Sequence, residues 1–151
     1  MNPIWTWHTW DTLMPDTLYA FLRLRSEIFV VEQNCVFPEM DGVDPFCEHL
    51  CGHDQQGILL AYLRLVPPQV KAPQPALGRL VVAQSARGSG LGRAAIAEGL
   101  RRCAARYPGQ DIFLSAQRHL ENFYASLDFR TCSEPYLEDD IWHINMLRKG
   151  A

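Results

Sequence analysis

The sequence predicts one mixed α+β domain, a central sheet of about six or seven strands flanked by helices. Three observations carry that prediction. Apolar, β-branched runs alternate with segments of helical period in the order β-α-β-β-β-α-β-α-β-β. A glycine-rich hexapeptide, Arg87-Gly88-Ser89-Gly90-Leu91-Gly92, lies between a strand-like run and a helix-like one. The length of 151 residues suits a single domain with a substantial core.

Residues 4–10 alternate large apolar and polar side chains and read as the first strand. A helix follows, with Pro15 in its first turn and Asp16 favourable to its dipole. Leu18, Phe21, Leu22, Ile28 and Phe29 give its apolar stripe, and the element order allows a break within it. Arg25 falls on that stripe, either as a packed stem or structural ion pair, or as a charge aimed into a cleft. Residues 35–45 form a Pro- and Gly-containing loop carrying Glu39, Asp41 and Asp44. Their order is not that of a calcium-binding EF-hand, which leaves a solvated acidic loop or a lid that attracts a cation.

Residues 46–53 and 58–66 read as strands around a turn at 54–57, and a proline-rich loop leads to a fourth strand at 77–82. After the glycine loop, Leu91, Ala95, Ile96, Leu100, Cys103 and Tyr107 recur at helical spacing until Pro108-Gly109. Gly99 inside that helix costs about 1 kcal/mol against alanine, which close packing on the sheet would explain. Residues 111–115 read as a strand, 119–127 as a helix, and 128–136 with 140–147 as two closing strands.

Composition excludes several classes. The hydrophobic fraction is 48% and the charged fraction 21%, both ordinary for a soluble protein. A net charge of −3 without a basic stripe argues against nucleic acid. No apolar run reaches membrane-spanning length, so no membrane is expected. The N-terminus shows no basic stretch followed by an apolar one, so a cytoplasmic location is expected, with the five cysteines as reduced thiols. Cys47, His49, Cys51 and His53 alternate at period two. On a strand such neighbours stand about 7 Å apart, too far to converge on one tetrahedral ion. No metal is expected.

The glycine loop carries the chemistry. Backbone N–H groups and the positive end of a helix dipole would meet there, which suits a phosphate or pyrophosphate. A dinucleotide fingerprint needs G-x-G-x-x-G, and Gly92 comes one residue too soon. A Walker A loop needs Lys followed by Ser or Thr, where this chain has Arg93-Ala94. The pattern present is R-x-x-G-x-G. A glycine turn with no ligand remains open at this point.

That hexapeptide resembles the pyrophosphate loop of the GNAT N-acetyltransferases. Leu24-Arg25 with Ile28-Phe29-Val30-Val31-Glu32-Gln33 resembles the LR…VFVVEQ stretch of the ElaA-type members. Gln117 through Phe129 is similar to the family's N-x-x-A-x-x-L-Y-x-x-x-G-F signature: Tyr124 and Phe129 match, while Gln117, Phe123 and Asp128 replace Asn, Leu and Gly. The similarity runs from about Leu18 to Met146. It implies the GNAT fold with its twisted mixed sheet, acetyl-CoA as cosubstrate, and transfer of acetyl to a primary amine by direct attack in a ternary complex. It implies that Arg87, Gly88, Ser89, Gly90, Leu91 and Gly92, followed by Arg93, hold the pyrophosphate. Leu80, Val81 and Val82 would pair with the pantetheine arm. Gln117, Asn122 and Tyr124 would complete the cofactor site, with Tyr124 as general acid beside the sulfur. A homodimer is left open.

A phenol titrates near 10 and a simple thiol near 8.5, so proton transfer from Tyr124 to a thiolate is uphill by roughly 2 kcal/mol. For the base, the fourth strand offers only Arg79 where some members carry a glutamate. Glu48 and His49 are the candidates, with His143 and Glu32 behind them; each has a salt bridge or a satisfied core histidine as its alternative. Acids cluster at 39–48 and 134–140, and together at one mouth they would favour a small or cationic acceptor. The rival readings are a non-catalytic acyl-CoA sensor, another nucleotide-phosphate binder, and an enzyme like the acyl-homoserine-lactone synthases.

Overall fold

In the computed structural model, which describes residues 2–151, one eight-stranded sheet runs through the chain. Its strands are β1 (Ile4–His8), β2 (Glu48–His53), β3 (Leu59–Val66), β4 (Ala76–Val82), β5 (Ile112–Gln117), β6 (Arg130–Thr131), β7 (Tyr136–Glu138) and β8 (Ile141–Arg148). The spatial order is β1-β2-β3-β4-β5-β8-β6, with β7 also on β8. Every pairing is antiparallel except β4 with β5, which is parallel and registered at a single pair, Ala76 with Phe113. The helices are α1 (Pro15–Arg25), α2 (Leu91–Arg106) and α3 (Glu121–Ala125).

Side-chain alternation along the strands builds two layers. Leu50, Leu63, Leu65, Leu77, Leu114, Ile144 and Met146 face α2 and α3, meeting Ile96, Cys103, Tyr124 and Phe129. Cys51, Tyr62 and Val81 face the other way, onto Phe21, Leu24 and Ile28 of α1 and its extension. Gly99 lies against β3 and β4: a Cβ there would stand 2.6 Å from Leu63 Cδ2 and 3.1 Å from Leu77. That contact is the packing reason for a glycine in mid-helix. Among the described residues, no helix is long and apolar enough to cross a membrane.

Three expectations change in detail. The first helix does not break; α1 continues directly into wider, π-helical turns over Ser26–Glu32. Residues 128–136 form two short strands rather than one. Asp128 takes a left-handed φ of 70° after α3, and Ser133 turns its hydroxyl onto the Asn145 N–H, so β6 ends after Thr131. The loop at 35–45 is neither a solvated acidic loop nor a lid with free charge. Arg25, fully buried, donates to Asp44 at 2.8 Å and to Glu39 at 2.7 Å. Arg64 donates to Asp41 at 2.8 Å and to Asp44 at 3.0 Å, and Arg79 and Lys71 close on Glu39 and Asp41. The chain's own cations occupy this acidic cluster. Despite their burial, hydrogen bonds and charge from these arginines hold the Asp41 and Asp44 carboxyls below the usual aspartate range.

Candidate active site

Because β4 and β5 are paired only near Ala76, their C-terminal halves diverge and leave a cleft of about 980 Å³ between them. A bulge sits on its β4 wall. Between the pairs Arg64–Gly78 and Tyr62–Val81, Leu63 alone faces two residues, Arg79 and Leu80. Arg79 takes the extra position at a left-handed φ of 52°, which turns the local peptide off the ladder toward the cleft. A non-glycine residue held there costs about 1–3 kcal/mol, and such strain clusters at functional sites. The bonds from Arg79 to Glu39, including one to the Glu39 carbonyl at 3.3 Å, hold it.

At the end of β4 the chain turns through Gly88 (φ 79°) and Gly90 (φ 81°) into α2. Those angles are costly for residues with a Cβ, which is why glycine stands at both. Outside α2's own bonding, the Ala94 N–H reaches the Gly90 carbonyl, but the N–H groups of Gly88 through Arg93 donate to no backbone carbonyl among the described residues. Six donors thus surround the N-terminus of a 16-residue helix. Gly92 packs near Val82 and Leu80, which places this nest at the open end of the cleft. Arg87 lines the cleft and pairs with Glu32 at 2.8 Å. The Leu91 side chain is buried with Leu60 and Ala86, so only its backbone faces outward.

The structure places some of the sequence-selected residues on this cleft and the glycine loop beside it. Leu80, Val81, Val82, Gln117 and Tyr124 line the cleft, and Gln117 donates to Gln33 at 3.3 Å. Tyr124 is 8% exposed, packed edge-on against Phe123 and Phe129, with no hydrogen bond from its hydroxyl to another described residue. Burial pushes its phenol up to about 12. Arg93 lies over the Phe123 ring and donates to Ser126 at 3.0 Å, tying α2 to α3. Asn122 is exposed on α3 and does not line the cleft.

The two first-named base candidates lie elsewhere. Glu48 faces α2, where Arg102 at 2.6 Å and Arg106 at 3.1 Å hold its two oxygens. His49 is fully buried under Phe21, bonded through Nε2 to the Asp44 carbonyl at 3.0 Å and through Nδ1 to the Tyr62 hydroxyl at 2.6 Å. Neither lines the cleft. The residues behind them, Glu32 and His143, do. Sequence reasoning missed the polar wall around His143: Ser115 on β5, Tyr136 on β7 and Asn145 on β8. The Tyr136 hydroxyl donates to Asn145 at 2.6 Å and contacts Ser115 Oγ. A signal existed on β8, where His143 and Asn145 alternate with Ile144 and Met146. None existed for Tyr136.

A sheet opened between two parallel strands, a bulge on one wall and a bare helix N-terminus at the mouth define an acyl-CoA-dependent transferase of the GNAT kind. The family profile described as an acetyltransferase (GNAT) domain matches residues 48–149, and the chain belongs to that family. It is 37% identical to protein ElaA of Escherichia coli over 134 residues, 87% of each chain. The crystal structure of Escherichia coli ElaA superposes with a TM-score of 0.90 at 34% identity, over 97% of this chain and 99% of that one. An acyl-CoA N-acyltransferase from Pseudomonas aeruginosa gives 0.92 at 41% identity, over 97% and 99%. The CoA-dependent acyl-homoserine lactone synthase BjaI, in complex with SAM and isopentyl-CoA, shares the fold at 0.80 and 16% identity, over 99% of this chain and 84% of that one.

Proposed function

We propose that the chain works as a single domain that transfers acetyl from acetyl-CoA to a primary amine by direct attack in a ternary complex. The observation that carries this reading is that the β4–β5 cleft is lined up to Val82 and Arg87, directly beside the unpaired N–H groups of Gly88 through Arg93. A pyrophosphate needs such a nest, a pantetheine arm needs such a slot, and the thioester then falls beside the bulge. Gly88, Ser89, Gly90, Leu91, Gly92 and Arg93 hold the diphosphate through main-chain donors, and Arg87, whose own N–H is spent on the Gln84 carbonyl, contributes its side chain at the mouth of the cleft. Leu80, Val81 and Val82 pair with the arm, and an N–H freed by the bulge stabilises the oxyanion formed on attack.

The amine nitrogen bonds to the thioester carbon, the C–S bond breaks, and the electron pair leaves on sulfur. Tyr124 faces that sulfur as a hydrogen-bond donor. With its phenol at about 12 and a simple thiol near 8.5, complete transfer would be uphill by about 5 kcal/mol. The hydroxyl therefore stabilises the departing thiolate by donating, and transfer to it comes late. For the acceptor, Glu138 and Asp139 line the cleft with no Lys or Arg partner among the described residues, which favours a small or cationic amine.

A thiol-release assay with acetyl-CoA over polyamines, amino sugars and lysine esters tests the reading. Turnover that requires the amine supports it. Tight acetyl-CoA binding with no turnover on any amine would instead indicate a sensor.

A further inference from the structure

We infer that His143 is the general base that takes the proton from the attacking amine; this rests on the acetyltransfer reading above. Three observations converge on it. The first is its side of the sheet. Ile144 and Met146 pack under α2 and α3, so His143 and Asn145 point to the opposite face. Tyr124 belongs to the α2–α3 side, and both Tyr124 and His143 line the one cleft. Base and leaving-group donor thus reach the one opening from opposite faces of the sheet, so the amine and the thioester sulfur can each be served by a separate group.

The second is the tautomer. His143 Nδ1 lies 2.7 Å from the Ile141 carbonyl, which can only accept, so in the neutral ring the proton sits on Nδ1. The lone pair is left on Nε2. The ring is also held by stacking on Tyr136, 6.0 Å between centroids. Nε2 stands 3.7 Å from the Glu138 carboxylate, which stabilises the imidazolium once the proton arrives.

The third is the state of the other candidates. Glu39 is bonded to Arg25 and Arg79, and Glu32 to Arg87. Those carboxylate oxygens are engaged by fixed cations, whereas His143 Nε2 has no such partner among the described residues.

The proton balance is simple. As the N–C bond forms, the nitrogen sheds one proton to Nε2; as the C–S bond breaks, sulfur takes one from solvent, directly or through Tyr124, whose phenol regains its proton from solvent. The imidazolium then returns its proton to solvent past Glu138, which is 57% exposed. The titratable groups around the ring are Glu138 and Tyr136 of β7 and the neighbouring Asp139 and Asp140 of the β7–β8 turn. Strand β5 presents Ser115 and Gln117 to it, neither of which titrates, and Asn145 flanks it on β8.

The test uses His143→Asn, whose amide keeps a donor for the Ile141 carbonyl but has no basic nitrogen. Rates of thiol release are measured from pH 5.5 to 9.5 with acetyl-CoA and the best amine among spermidine, glucosamine and lysine methyl ester. The expected result is a fall in kcat of about 10²- to 10³-fold, loss of the wild-type rise in rate through the range where imidazoles deprotonate, and unchanged acetyl-CoA affinity by titration calorimetry. Nitrogen-15 NMR of the ring should show the Nδ1–H form when neutral. A variant His143→Asn that keeps its kcat and its pH profile overturns the inference while leaving acetyltransfer standing, as does an Nε2–H ring. A wild-type protein that binds no acetyl-CoA, or turns over none of the amines, overturns both.

Discussion

Tyr124 and the Arg25 cluster show how burial serves two ends. Burial alone raises Tyr124, and a phenol held at about 12 stays protonated across every assay pH. Tyr124→Phe should therefore lower kcat at least tenfold, leave acetyl-CoA affinity within about twofold, and remove no feature of the pH profile below pH 10. In the Arg25 cluster, burial is offset by ion pairs. Removing one partner of such a pair costs about 3–5 kcal/mol, so Arg25→Met should lower the urea midpoint by that equivalent, with Glu39 and Asp44 left facing an apolar group. The pH sign follows from the directions of the shifts. Asp41 and Asp44 are depressed in the folded state, so their stabilisation is complete at neutral pH and is lost as pH falls below about 4. Burial lowers His49, so the unfolded chain takes up a proton below about 6.5 that the folded one refuses. Urea midpoints should fall gently below about 6.5 and steeply below about 4; a flat profile from pH 7 to 4 would contradict both assignments.

Two glycines of the same region separate binding from stability at the scale of elements. Gly90 has open space where a Cβ would go and a φ of 81°, whereas Gly99 has an ordinary helical φ and a leucine methyl 2.6 Å from that position. Gly90→Ala should cost about 1 kcal/mol from strain and weaken acetyl-CoA at least tenfold by moving the nest. Gly99→Ala should cost about 1–3 kcal/mol of stability through overpacking, with the affinity of the remaining folded protein little changed. Calorimetric melting and titration on both variants check the contrast. The elements themselves were largely readable in the chain. The strand–glycine–helix unit came through because local rules fix it: period, positive φ and cap all act within a few residues. The β4 bulge was not readable, because Arg79 is driven to its left-handed φ by Glu39, forty positions away in sequence. For the same reason, the acids at 39–44 looked free. Their partners Arg25, Arg64 and Arg79 come from three different elements, and only Arg25, on an apolar stripe, gave notice. Asp128 stands where the family signature has glycine, yet it keeps the left-handed turn, an angle that a short polar side chain tolerates.

Across the whole molecule, function follows from an uneven covering of one sheet. Helix α1 and its π-helical extension cover β2, β3 and the end of β4 on one face, while α2 and α3 cover the other. The α1-side face of β5, β7 and β8 is left to Ser115, Gln117, Tyr136, His143 and Asn145 at the cleft. The glycine-loop nest and the polar wall thus reach one opening from different faces, the arrangement that the proposed two-substrate reaction needs. The most direct test is calorimetric titration of the purified protein with acetyl-CoA, with ATP and NAD as controls. The account predicts saturable binding of one acetyl-CoA per chain, abolished or much weakened in Gly90→Ala, and none of comparable affinity for ATP or NAD. Absence of acetyl-CoA binding at low and moderate salt, or equal binding of all three, would reduce Arg87 through Gly92 to a turn and contradict the account.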